Sequence, residues 1–303
     1  MNEKLEEMKN QYENTPIPKE LDAIVKNALR KGETLKMKNK KQPKKLVAGL
    51  AVAGVAAAFI LGVNTNQSFA ASMKDVPVIG SIAKVVTFRE FKVDEKTYTA
   101  DIKAPAVKGL QNKSLEDSLN QKYLADAKAQ YESFKEDMKY VESVGGGHIN
   151  AKSGYDVKTN NDQILSIERY HTEYSMVELQ FDTIDKKNNI LITLPSLFKD
   201  DNYINAISEN IKEQMNAQFA ADPNDISYNV EGVNEKLPAD MQIPSDMLFE
   251  KIKKDQMFYI NKDGNLVIVF DKYEVGPGST GTPEFVIPTS VINNDLVSSA
   301  YIK

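Results

Sequence analysis

Residues 46–63 read LVAGLAVAGVAAAFILGV, eighteen positions without a charge. As a helix rising about 1.5 Å per residue, this run is about 27 Å long, close to the roughly 30 Å of a bilayer's hydrocarbon core. Residues 1–45, before it, carry twelve Lys/Arg against seven Asp/Glu, and Lys36, Lys38, Lys40, Lys41, Lys44 and Lys45 crowd the boundary. On the far side the first charge is Lys74, and from there to the last residue 26 basic side chains face 36 acidic ones. Such a split around an uncharged stretch is a topology signal, and positive charge stays on the cytoplasmic side. The expected order is a cytoplasmic segment 1–45, a transmembrane helix 46–63, a juxtamembrane segment 64–86 and an extracellular domain 87–303.

A cleaved signal peptide competes with this reading. Ser68-Phe69-Ala70, followed by Ala71, places small residues where signal peptidase requires them. The charged region before the apolar run would then be 45 residues long and contain helical patterning, which favours the tether. The two readings are compatible if cleavage is regulated. The chain has no Cys, so it holds no disulfide and no thiolate ligand or nucleophile. It also lacks Trp, leaving twelve Phe and thirteen Tyr to supply aromatic packing.

Within the first segment, Ile17, Leu21, Ile24, Val25, Ala28 and Leu29 recur at helical spacing after Thr15-Pro16, and Gly32 stops the run. Leu5, Met8 and Tyr12 form a weaker stripe upstream. Short helices of this kind are marginal alone and must bury their stripe elsewhere. A membrane surface is one candidate, given the basic run that follows. A protein partner fits better, because the basic residues come after the helix rather than along its polar face.

The larger part reads as α+β: an antiparallel sheet with helices packed on one face. Thr87–Ile102 is extended. Ser114, with Asp117 three residues on, suggests a capping box. Leu115, Leu119, Tyr123, Ala127, Tyr131, Phe134, Met138 and Val141 keep helical period until Gly145-Gly146-Gly147. Strands are expected over Ile164–Tyr170, Ser175–Ile184 and Ile190–Leu194, with a turn at Asp185–Asn189. A second helix runs from Asp201 through Ile204, Ile207, Ile211, Met215 and Phe219 to a stop before Asp222-Pro223. Ser245 is read as the cap of a third, short helix. Met257–Ile260, a turn at Asn261-Lys262-Asp263-Gly264, Asn265–Val275 and Glu284–Ile287 read as hairpin strands, with Gly supplying positive φ.

Catalytic signatures are absent. There is no GxSxG, Walker loop or GxGxxG in the sequence. His148 and His171 lie in separate segments without partners at metal-ligand spacing and are read as exposed loop residues, so no metal or cofactor is expected. Asp200-Asp201 is an acidic pair, but at a helix start carboxylates commonly serve the macrodipole. The expectation is a non-enzyme, and its exposed loops become the candidates for binding. Two stand out: His171–Ser175 (HTEYS) between strands, and Gly276–Pro283 (GPGSTGTP).

YENTPIPKELDAIVKNAL in the first segment, one membrane span and FYINKDGNLVIVFDKYEVGPGSTGTPEFVIPTS near the end together resemble the RsiV-type anti-sigma factors of Firmicutes. VKGLQNKSLEDSLNQK and ILITLPSLF also resemble the modules associated with cell-wall polysaccharide deacetylases. The resemblance implies that Ile17, Leu21, Ile24, Val25 and Leu29 hold an extracytoplasmic-function sigma factor of the SigV type, and that the outer domain binds lysozyme. It implies further that binding exposes Ser68, Ala70 and Ala71 to signal peptidase, after which an intramembrane protease completes release. The family's lysozyme loops map onto Pro277, Gly278 and Ser279, with Ser175 from the adjacent loop. This chain has HTEYS where the wider pattern often has Gly-Gly-Ala-His, and no Tyr in the glycine-proline loop. No nucleic-acid partner is implied. The other reading is a membrane-tethered module that binds cell-wall glycan or modifies peptidoglycan.

Overall fold

Tyr98, Ala100, Ile102, Ala104 and Ala106 are all buried along one side of a strand, so their small side chains let a helix lie close against it. The computed structural model that shows this packing describes residues 83–223 and 227–303. The apolar run 46–63, the cleavage-site residues Ser68, Ala70 and Ala71, and the stripe Ile17, Leu21, Ile24, Val25 and Leu29 lie outside the described residues. Among the described residues no helix is long and apolar enough to cross a membrane. The described residues divide into two compact units that meet near Ile149–Asn150 in the chain.

In the first unit, β1 (Lys84–Asp94) and β2 (Tyr98–Lys108) form an antiparallel hairpin, with Phe91 opposite Ile102 and a bulge between Thr87 and Arg89. The single extended stretch expected over Thr87–Ile102 is thus folded back on itself. Helix α1 (Lys113–Ser143) lays its stripe of Leu119, Tyr123, Leu124, Ala127, Tyr131, Phe134 and Met138 inward. Tyr131 stacks on Phe91 with ring centroids 5.2 Å apart. Asn120 accepts from the Val107 N–H at 2.7 Å and donates to its carbonyl at 2.8 Å, fixing helix to strand.

The expected capping box at Ser114 is replaced by a cap two residues earlier. Asn112, in extended conformation, accepts the Leu115 N–H at 3.1 Å. Asn is among the best N-caps, and Ser114 becomes a helical residue whose carbonyl accepts from the Ser118 hydroxyl. The helix ends as its glycines require. Gly145 and Gly146 take φ of 104° and 91°, and Gly146 N–H closes on the Val141 carbonyl at 2.8 Å, a Schellman-type stop.

In the second unit, β3 (Ile149–Asn160), β4 (Ile164–Glu173), β5 (Met176–Asp185) and β6 (Ile190–Ile192) form a meander in that order. Its described pairings are antiparallel. After a 3-10 turn at Leu194–Leu197 comes α2 (Asn202–Ala221), within a residue of its expected start. A separate sheet follows, built from β7 (Phe258–Ile260), β8 (Leu266–Val269) and β9 (Glu284–Ile287) in that order, and then the one-turn helix α3 (Thr289–Ile292).

The α+β class holds, but one sheet with helices on a single face becomes two sheets, and β8 shows why. LVIV has no polar alternation, the pattern of a strand covered on both sides. Leu266 and Ile268 join a core with Tyr203, Ile207, Ile211, Met215 and Phe219 of α2. Val267 and Val269 pack instead with Leu179, Tyr170, Val177 and Phe181 of the meander. The small sheet therefore lies between α2 and β4–β5. Lys158 ties the two sheets, 3.1 Å from Glu168 and 2.9 Å from Glu284, with its ammonium 4.9 Å from the Tyr259 ring centroid. Tyr259 donates to Glu284 at 2.6 Å, and burial together with that carboxylate pushes its phenol well above the usual range. Ser245 opens a 3-10 turn at Ser245–Met247 with Pro244 in the capping place, so it is not the expected cap.

Asp185 closes the β5–β6 turn. Its buried carboxylate accepts the N–H groups of Lys187 and Asn188 at 2.8 Å each, and the Asn188 amide and Tyr301 hydroxyl at 2.7 Å each. Burial alone would raise its pKa, but bonds from Asn188, Tyr301 and Lys187 outweigh it and hold the group below the usual carboxylate range. A depressed native pKa contributes stability above the unfolded value, about 4, and that stability is lost as pH falls through the native pKa. Asp185→Asn should be about 1–2 kcal/mol less stable than wild type at pH 7. The gap should narrow as unfolding is followed below about pH 4; a constant gap in urea melts would contradict the assignment.

Candidate functional site

HTEYS is mostly strand. His171, Thr172 and Glu173 belong to β4, and only Tyr174 and Ser175 make the turn into β5, with Tyr174 at φ 53°. His171 is therefore not the exposed loop residue expected. It sits opposite Ser153 on β3 and Glu178 on β5 and is 8% exposed, with Nε2 3.7 Å from Glu173. Polar character suggested a loop, but register in a covered sheet buries it. His148 is exposed. Among the described residues no group of three or more His, Cys, Asp or Glu is placed to hold a metal ion. The acidic pair is engaged locally: Asp200 accepts the Asn202 N–H at 2.9 Å, and Asp201 is 2.7 Å from Lys254.

The segment leading into the glycine-proline loop reaches the turn that ends HTEYS. Lys272, just after β8, donates from Nζ to the carbonyl of Ser175 at 2.9 Å. Asp271 accepts the Leu179 N–H at 3.2 Å, joining the start of the β8–β9 loop to β5. Burial, ahead of the acidic neighbours Glu274 and Glu178, raises the Asp271 pKa. The long expected strand Asn265–Val275 stops at Val269 because the chain turns over Asp271–Glu274, where Asp271 N–H reaches Glu274 at 2.9 Å and Glu274 meets Lys253 at 2.6 Å.

Pro277 and Ser279 are exposed, as is Ser175, so all three face solvent. Gly278 is half-buried instead. It opens the 3-10 turn Gly278–Thr280, and a Cβ there would stand 2.5 Å from the Tyr273 ring. Thr280 secures the other side of the turn, donating to the Ser227 carbonyl at 2.8 Å. The large exposed side chains nearby are Tyr174, Met176 and Tyr273. Tyr174 lay within the marked HTEYS, but Met176, Tyr273 and Lys272 were not singled out in the sequence. The available signal was the pairing of a turn Tyr-Ser with a Lys-Tyr ahead of a glycine-rich loop, which means little until the strands are paired. This surface suits adaptable contact with a macromolecule, with exposed aromatic side chains, a prolyl ring and the exposed Ser175 and Ser279.

At the other end of the same unit, the turns after β3, β5 and β7 surround an open cavity of about 350 Å³ lined by Asn161, Lys187, Asn261, Gly264, Tyr301 and Lys303 among others. Asn161 and Asn261 spend their side-chain oxygens on their own turns.

Residues 195–290, spanning α2 and the small sheet, match the family described as "Protein of unknown function (DUF3298)". Residues 91–175 match the family described as "Deacetylase PdaC". A solved DUF3298 family protein from Pseudomonas aeruginosa PAO1 has a TM-score of 0.51 at 13% identity, over 76% of this chain and 99% of that one, a likeness of fold. A second, from Bacteroides fragilis NCTC 9343, gives a TM-score of 0.47 at 16% identity over 71% of this chain and 94% of that one. The anti-sigma-V factor RsiV of Bacillus subtilis (strain 168) is 40% identical over 308 residues, covering 100% of both chains. Identity of that degree over the full length of both chains means that the chain belongs to the RsiV family of anti-sigma factors.

Proposed function

We infer that this chain is a membrane-tethered anti-sigma factor that reads lysozyme outside the cell and releases a sigma factor inside it. The full-length identity to the anti-sigma-V factor RsiV carries the reading. Residues 1–45 hold an extracytoplasmic-function sigma factor of the SigV type through Ile17, Leu21, Ile24, Val25 and Leu29. The run 46–63 tethers the chain. Ser175, Pro277, Gly278 and Ser279 form the lysozyme-facing surface. Its support in the fold is the bond between Lys272 and Ser175, which joins loops that the sequence separates by 97 positions. The acidic excess beyond residue 73 also favours encounter with a basic protein such as lysozyme. Binding exposes Ser68–Ala71 to signal peptidase, and an intramembrane protease then frees the sigma factor. The reading needs no catalysis by the chain itself.

The test uses the full chain in cells with a sigma-dependent reporter. Lysozyme is expected to shorten the chain and raise transcription. Ala70→Trp is expected to stop the shortening while lysozyme still binds at the surface. Unchanged processing in that variant would refute the assigned cleavage site. A wild-type chain that fails to bind lysozyme would need a different signal.

The match of residues 91–175 to the deacetylase-associated family supports a second reading, a tethered cell-wall module. It predicts glycan binding or turnover of peptidoglycan by the full chain. Absence of turnover, with and without added divalent metal, would remove its enzymatic form.

A further inference from the structure

Tyr273 combines two unusual features. It is an aromatic residue at φ 71°, a left-handed conformation that a non-glycine residue adopts only under strain. Its ring also lies so close to Gly278 that a Cβ there would meet Cε1 at 2.5 Å and the phenol oxygen at 2.7 Å. Strain of this kind persists only where surrounding contacts hold it, and here they are identifiable. The turn is closed by Glu274 N–H to the Asp271 carbonyl at 3.1 Å and by the Glu274 carboxylate on Asp271 N–H. Lys253 secures Glu274 from outside.

The neighbour Lys272 does two jobs with one ammonium group. Its Nζ lies 5.1 Å from the Tyr273 ring centroid, a cation–π distance, and donates to the Ser175 carbonyl at 2.9 Å. The ring beneath Gly278 supports the glycine-proline loop, and the ammonium above that ring holds the β4–β5 turn. Thr280 and Gly276 meet the Ser227 carbonyl on the far side, the Gly276 position leaving 2.8 Å for an added Cβ. The glycine-proline loop is thus braced on both flanks, while Ser175, Pro277 and Ser279 remain exposed.

We propose that Lys272 and Tyr273 are positioning residues that assemble the two loops into one surface before the partner arrives. They act by removing the ordering cost that two independent loops would impose on binding. The proposal deepens the lysozyme reading and rests on it for the identity of the partner. Tyr273, 50% exposed, also presents part of its ring to solvent, so the support is at the same time part of the surface.

The experiment compares the full-length protein in lipid nanodiscs with Lys272→Met, Lys272→Arg and Tyr273→Asn, the last chosen because Asn tolerates positive φ. Amide hydrogen exchange is followed at residues 174–177 and 276–281, and affinity is measured with a c-type lysozyme. Lys272→Met is expected to accelerate exchange in both loops and weaken binding by about tenfold, the scale of one charged hydrogen bond. Lys272→Arg, whose guanidinium can both stack and donate, should restore both, which a general packing defect would not show. Tyr273→Asn should loosen 276–281 most. Unchanged exchange in Lys272→Met overturns the clamp, and faster exchange with unaltered affinity overturns its role in binding. If wild-type protein binds no lysozyme, the lysozyme reading falls and the exchange result alone decides the clamp.

Discussion

Ile302→Asp is expected to lower the stability of the second unit by about 4 kcal/mol, the largest single effect on folding that the structure suggests. Ile302 is 1% exposed and belongs to the same core as β8 and α2. Its neighbours fix it in place: Tyr301 donates to Asp185 at 2.7 Å, Lys303 N–H to the Gly264 carbonyl at 3.0 Å, and the Thr289 hydroxyl to the Lys303 carbonyl at 2.6 Å. An aspartate there loses the transfer energy of a buried aliphatic side chain, about 2–3 kcal/mol, and puts a carboxylate into an apolar core. Urea unfolding followed by tyrosine fluorescence would show a lower midpoint with an unchanged slope. A shift under about 1 kcal/mol would mean that residues 300–303 are not part of the cooperative unit.

The second large effect concerns signalling. Under the proposed reading, Leu21→Asp places an unpaired charge in the apolar stripe that grips the sigma factor, at a cost of about 3 kcal/mol or more, a loss of over a hundredfold in affinity. The sigma-dependent reporter should then be on without lysozyme, with the chain still present and intact. Repression retained in Leu21→Asp would show that the stripe is not the interface.

The helices were legible because their apolar residues recur every three to four positions over a long window. Tyr123, Tyr131 and Phe134 in α1, and Ile207, Ile211 and Met215 in α2, are all buried as the spacing demands. Local chemistry at the ends was harder. Ser114 and Asn112 both satisfy capping preferences, and only the helix position chooses between them. The strands were found, but not their arrangement. Nothing local to LVIV says that its two faces meet α2 and β5, residues from two different stretches of chain. His171 was misplaced for the same reason, since burial of a polar residue depends on the register of its neighbours. The two candidate loops were visible as composition, Gly and Pro in one and a polar cluster in the other. Their meeting through Lys272 was not, because a hydrogen bond across 97 residues leaves no trace in either segment.

The enclosure of β8 also bears on how fast the second unit forms. Val267 and Val269 need Leu179, while Leu266 and Ile268 need Tyr203, Met215 and Phe285. The central strand cannot be covered until about a hundred residues have come together, and topologies governed by such distant pairings fold in roughly milliseconds to seconds rather than microseconds. On the proposed topology that delay is useful: a segment that closes slowly stays threadable while it is carried across a membrane, and it assembles its core on the side where it works.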